Sequence, residues 1–111
     1  MDYHHIPVLL RETLEYLKPV PGGIYVDGTV GGGGHSLEIL KRIGPTGRLV
    51  GIDRDPEAIR ASSERLKEYG DSFLPLHGNA VDVRELLESE KIGVVDGMLM
   101  DLGVSSHQLD T

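Results

Sequence analysis

The sequence predicts an α/β domain of three layers, in which a parallel sheet of four strands in the order 3-2-1-4 carries helices on both faces. Three observations predict it. Short apolar runs alternate with helix-spaced apolar patterns, and the right-handed crossovers of such a repeat make neighbouring strands parallel. The fifteen glycines and six prolines fall mostly between these segments, where they punctuate elements rather than loosen them. Pro75 lies inside the third apolar run, where it removes a ladder donor, so that strand belongs at a sheet edge. An outermost third strand is what the doubly wound order requires, and that order puts the ligand crevice beside strand one, between strands one and four.

Each element follows from its own residues. Val8, Leu9, Leu10, Leu14 and Leu17 stand near helical spacing and predict a helix over 8–17, halted by Pro19, Pro21, Gly22 and Gly23. The apolar run 24–26 is the first strand. A glycine loop follows, and Leu37, Leu40 and Ile43 mark a helix closed by Gly44 and Pro45. Residues 49–52 repeat the strand pattern. Asp55 and Pro56 supply an N-cap and a first-turn proline for a helix carrying Ile59, Ser62, Leu66 and Tyr69 and ended by Gly70. A third strand is expected over 73–76. Residues 82–90 form a helix with Val83, Leu86 and Leu87 inward, and 94–102 form the fourth strand.

Length and composition bound the function. A chain of 111 residues, 39% hydrophobic, closes one modest core and leaves no room for a second full domain. Without cysteine it has no disulfide, thiol nucleophile or cysteine-ligated metal, a usage that fits a reducing cytoplasm. No apolar run approaches the roughly 20 residues of a bilayer span, and MDYHHIPV lacks a signal-peptide pattern. A soluble, cytoplasmic protein with no membrane partner is expected. Eleven Lys and Arg against eighteen Asp and Glu leave a formal net charge of −7, opposite in sign to a nucleic-acid footprint. If the substrate is a nucleic acid, this chain does not hold it alone. His4 and His5 have no carboxylates at ligand spacing, so no metal site is expected. Tyr25 and Phe73 read as core, which leaves too few aromatics for a base-stacking platform.

Three segments carry chemistry. DGTVGGGGHS, at 27–36, joins the first strand to its helix, where backbone approaches a ligand closely and helix N-terminal amides are exposed. Its spacing is a poor match to the GxGxxG dinucleotide fingerprint. A tight strand-to-helix turn is the plainer alternative. In GIDRD, at 51–55, Asp53 ends the second strand, where a carboxylate accepts the ribose hydroxyls of an adenosine-bearing ligand. Asp55 fills the capping role, which leaves Asp53 for a ligand. Together the two segments select a nucleoside cofactor without separating a nicotinamide from S-adenosylmethionine. In LMDLGVSSHQLD, at 99–110, Asp101 enters the crevice opposite Asp53, where an acceptor beside a reacting amine is useful, and Gly103, Ser105 and Ser106 form a small-residue turn.

HIPVLLRE at 5–12, YVDGTVGGGGHS at 25–36, GIDRDPEAI at 51–59 and DGMLMDLGVSSHQLD at 96–110 give the chain a specific resemblance. It resembles the N-terminal part of the bacterial small-subunit rRNA (cytosine-N4)-methyltransferase family, RsmH or MraW, over essentially its whole length. The resemblance implies a Rossmann-like, class I S-adenosylmethionine-dependent fold. It implies that Gly33, Gly34 and His35 hold the methionine end of S-adenosylmethionine and Asp53 the ribose, with Asp101 and Gln108 as further cofactor contacts. It also implies methylation of the exocyclic N4 of a cytidine in the decoding region of 16S rRNA, with the small ribosomal subunit as partner and Asp101 as the catalytic acceptor. Family members usually carry an aromatic beside the adenine, after the Asn of HGN, where this chain has Ala80. Members are also much longer, so residues 1–111 correspond to an N-terminal half-domain without the substrate-recognition insertion and the later strands. Such a piece is expected to be inactive by itself. The alternative is a non-catalytic, minimal Rossmann-like half-domain that folds and self-assembles.

Assembly follows from the same reading. With no later strand beside it, the second edge of strand four is expected to be bare, and its apolar residues Val94, Val95, Met98, Leu99, Met100 and Leu102 supply both faces. A homodimer through the exposed fourth strand is the expected consequence.

Overall fold

The computed structural model describes residues 8–28, 34–100 and 103–105. The elements run α1 (Val8–Leu17), β1 (Ile24–Asp27), α2 (Gly34–Ile43), β2 (Arg48–Asp53), α3 (Pro56–Arg65), a 3-10 turn (Lys67–Ser72), β3 (Phe73–His77), a second 3-10 turn (Ala80–Asp82), α4 (Val83–Ser89), β4 (Gly97–Met100) and β5 (Gly103–Ser105). The sheet order is β3-β2-β1-β4-β5. Its first four strands are parallel in the expected 3-2-1-4 order, and Pro75 sits on the edge strand β3, paired with Gly51.

Register explains the two cores. Tyr25, Leu49 and Phe73 are directly aligned across β1, β2 and β3, and the next row is Val26, Val50 and Leu74, with Val26 also facing Met98 on β4. Successive residues of a strand point to opposite faces. The Tyr25 row therefore packs with Leu14 and Leu17 of α1, Ile39, Leu40 and Ile43 of α2 and Leu66. The Val26 row packs with Leu87, Ile92, Val95 and Met98, and with the half-buried Val83 and Leu86 of α4. Residues buried on both faces are what make the strands read as short continuous apolar runs.

Local signals fix the helix ends. Asp55 Oδ1 accepts the Glu57 amide at 2.9 Å, and Pro56 starts α3. The helix that the spacing carries to Tyr69 ends as α-helix at Arg65 and tightens into the 3-10 turn, which Gly70 breaks with φ 54° and ψ −129°. That left-handed φ is one a residue without Cβ adopts cheaply. The inward face survives this change, since Leu66 and Tyr69 still meet the α2 side of the core.

The far edge of the sheet corrects the assembly expectation. Strand four spans only Gly97–Met100, and residues 103–105, read from sequence as a small-residue turn, fold back as the antiparallel strand β5. Met98 faces Ser105, Leu99 faces Val104 and Met100 faces Gly103. The β4 edge is thus covered by its own chain, and a homodimer formed through a bare fourth strand loses its premise.

Candidate cofactor site

The parallel strands place their carboxyl ends together, the position where a doubly wound sheet offers its crevice. Four chain segments emerge there. β1 ends in Asp27, β2 in Asp53, β3 in His77 and β4 in Met100. Gly28 donates its amide to the Leu99 carbonyl at 2.7 Å, which ties the start of the glycine loop to β4. A Cβ at Gly28 would press on Met100 Sδ and lie 3.3 Å from Ala80 Cβ and 3.4 Å from the Leu99 oxygen. A side chain here would have to displace Met100, so glycine suits the place where three segments approach closely.

Asp53 is half-buried at the tip of β2. Its carboxylate makes a local bond as well, because Oδ1 accepts the Asp55 amide at 2.8 Å. The two oxygens of a carboxylate offer about four lone-pair sites in all. The Asp53 carbonyl accepts the Gly78 amide at 2.9 Å, and the His77 ring bonds the Arg54 carbonyl at 2.8 Å. These two links bind the end of β2 to the chain leaving β3. From there Asn79 caps the short turn, its side chain accepting the Val81 amide at 3.1 Å, and Ala80 comes to rest half-buried among Val83, Leu86 and Met100.

The structure therefore brings Asp53, Ala80 and the start of the glycine loop to one end of the sheet. Gly34 opens α2 and His35 is half-buried in its first turn. Gly33, Asp101 and Gln108 lie outside the described residues, as do His4 and His5. Among the described residues no group of three His, Asp or Glu side chains could hold a metal ion, and no helix is long and apolar enough to cross a membrane. One pair was not singled out from the sequence. Asp27 is fully buried, and its Oδ2 accepts the hydroxyl of the equally buried Ser36 at 2.7 Å. These are the first and last residues of DGTVGGGGHS, and nothing in their spacing pairs them.

The ribosomal RNA small subunit methyltransferase H of Trichlorobacter lovleyi is 60% identical over 110 residues, which cover 99% of this chain and 35% of that protein. Its counterpart in Symbiobacterium thermophilum is 52% identical with the same coverage, and that of Geobacter sulfurreducens is 50% identical over 111 residues, 36% of its length. The chain thus spans little more than a third of the relatives it matches. Among solved structures, Aeropyrum pernix fibrillarin with natively bound S-adenosyl-L-methionine superposes with a TM-score of 0.70 at 20% identity, over 85% of this chain and 41% of that one. Thermus thermophilus TrmN gives a TM-score of 0.70 at 25% identity, over 85% of this chain and 27% of that one. The fold is accordingly that of the class I methyltransferases. Residues 2–111 match the family described as the MraW methylase family, and the chain belongs to it.

Proposed function

We propose that this chain is the S-adenosylmethionine-binding portion of an rRNA methyltransferase that acts on the exocyclic N4 of a cytidine in the decoding region of 16S rRNA. The observation that carries the reading is Asp53, a carboxylate ending β2 at the same end of the sheet where β1 gives way to the glycine loop. A nucleoside fits such a place. Its ribose hydroxyls donate to a carboxylate at such a strand end. The family relationship over residues 2–111 supports a methyl donor rather than a nicotinamide in that place.

In this reading Asp53 holds the ribose, Gly33, Gly34 and His35 the methionine end, and Gln108 a further part of the cofactor, with Ala80 beside the adenine. Bound there, the cofactor supplies an activated methyl group. The chain supplies position and an acceptor. A cytidine amine is a weak nucleophile because its lone pair is delocalised into the ring, so Asp101 would accept its hydrogen bond, orient it and take the proton released as the N–C bond forms and the methyl–sulfur bond breaks, with S-adenosylhomocysteine leaving as a neutral thioether. In a full-length relative, Asp101→Ala should slow methylation by at least about a hundredfold, the lower range for removal of a positioned proton acceptor. An unchanged rate removes Asp101 from this role.

Transfer by this chain alone is expected to be undetectable. It spans 35% of the relatives' length, and its net charge of −7 opposes the phosphate contacts on which nucleic-acid affinity depends. Salt-sensitive binding of a small-subunit rRNA fragment, followed by methyl transfer, would reverse that expectation. The cofactor reading itself is tested by titration calorimetry of the chain with S-adenosylhomocysteine. Saturable binding supports it, and no heat up to about 1 mM, a free energy near 4 kcal/mol, refutes it. Tighter binding of NAD would assign the crevice to a nicotinamide.

A further inference from the structure

The Asp27–Ser36 pair is a hydrogen bond between two side chains with no exposed surface, 2.7 Å long and nine residues apart in sequence. Its location is unusual for a core. Asp27 is the last residue of β1, on the face of Tyr25, and Ser36 lies in the first turn of α2. The row that contains Asp27 is otherwise apolar or empty, with Gly51 on one side and Leu99 on the other. A carboxylate in such surroundings carries a desolvation cost that an apolar residue of similar size would not. Near the N-terminal end of α2 that cost is offset by the helix dipole and by the short bond from Ser36.

What the bond fixes is the separation between the two ends of the glycine loop. The start of the loop is held from one side by the Gly28 amide on the Leu99 carbonyl and by the close packing of Gly28 on Met100. Ser36 holds its end from the other side. Ser36 lies inside the first turn of α2, and its hydroxyl donates to the strand before the loop. We propose that Asp27 and Ser36 are positioning residues that set the span of the glycine loop, and through it the affinity for the nucleoside cofactor, without touching the cofactor themselves. The inference rests on the cofactor reading above, but the bond has consequences of its own in the ligand-free protein.

Ser36→Ala removes the donor while keeping a good helix former in α2. In this chain it is expected to weaken S-adenosylhomocysteine binding about tenfold, the effect of losing one charge-assisted hydrogen bond that orders a binding loop. Amide hydrogen exchange without ligand should quicken at Gly28 and over residues 34–40, with β2, β3 and α3 unchanged. Asp27→Asn keeps an acceptor oxygen for Ser36 and is expected to stay within about threefold of the unmodified affinity. Unaltered binding by Ser36→Ala, or faster exchange spread evenly over the sheet, would overturn the proposal. So would a tenfold loss in Asp27→Asn with none in Ser36→Ala, which would assign the effect to the charge or the other contacts of Asp27 and not to this bond. If the unmodified chain binds no S-adenosylhomocysteine, the cofactor reading fails and exchange decides for the pair: quickening confined to Gly28 and 34–40 supports it, and an unchanged pattern overturns it.

Discussion

Ala80 shows what one side chain does when its neighbours are fixed by backbone. It is held by the turn that Asn79 caps and packs, with Met100, against the apolar cluster under α4, so its place is set by backbone more than by its own size. An aromatic at this position should then extend past the turn and add a face for the adenine. Ala80→Phe is expected to tighten S-adenosylhomocysteine binding by roughly threefold to tenfold, the equivalent of about 0.5 to 1.5 kcal/mol, read by calorimetry. Equal or weaker affinity would mean that residue 80 does not face adenine. The place of Asp53 at the end of β2 was legible from the sequence, because the apolar run 49–52 stops there. The pairing of Asp27 was not. Burial and a hydrogen-bond partner nine residues away are tertiary facts, and a polar letter beside glycines reads equally well as a turn.

At the scale of elements, the strands and helices were legible wherever apolar spacing and end signals agreed. The Asp55 cap and Pro56 of α3 are the clearest instance. Where the sequence misled, hydrogen bonding at an end outweighed periodicity. The last α-helical bond of α3 runs from the Leu66 amide to the Ser62 carbonyl, and a tighter turn then carries Tyr69 to the same core that a longer helix would have reached. β5 was missed because three residues are too short for any alternation to show. The end of α4 offers a test of element-level physics. The Ile92 amide bonds the Leu87 carbonyl at 2.9 Å and the Lys91 amide bonds the Glu88 carbonyl at 3.0 Å, while Leu87 and Ile92 share one apolar cluster. This is a Schellman motif, whose left-handed position usually holds glycine. Here it holds Lys91 with φ 60°, and an L residue there is strained by its Cβ. Lys91→Gly is therefore expected to raise stability by about 0.5 to 1 kcal/mol in urea denaturation, with an unchanged m-value. A loss of stability would show that the Lys91 side chain contributes more than its backbone strain costs.

For the molecule as a whole, the described sheet has two edges, and both are poor templates for another chain. β3 carries Pro75, which offers no amide to a partner, and β5 has only three residues. Short edge strands and edge prolines are the usual means by which a sheet avoids pairing with a neighbour. The expected dimer through strand four arose from reading an interior strand as terminal. Apolar residues of both parities in 94–102 do require cover on both faces, but the chain supplies the pairing itself, with β1 on one side of β4 and β5 on the other. This changes what Met98→Lys should do. Met98 is 9% exposed and packs with Val26, Val50, Leu87 and Val95, so the substitution puts an ammonium into the core rather than onto an interface. It should cost at least about 2 kcal/mol, the penalty for burying a polar group without a partner, and appear as a lower denaturation midpoint. The midpoint of the unmodified chain should not move between about 5 and 100 μM protein, because only an assembly that holds the folded state makes stability depend on concentration. A midpoint that rises with concentration, together with a Met98→Lys chain that stays folded but sediments as a smaller species, would return strand four to an interface and make β5 an element that a second copy displaces.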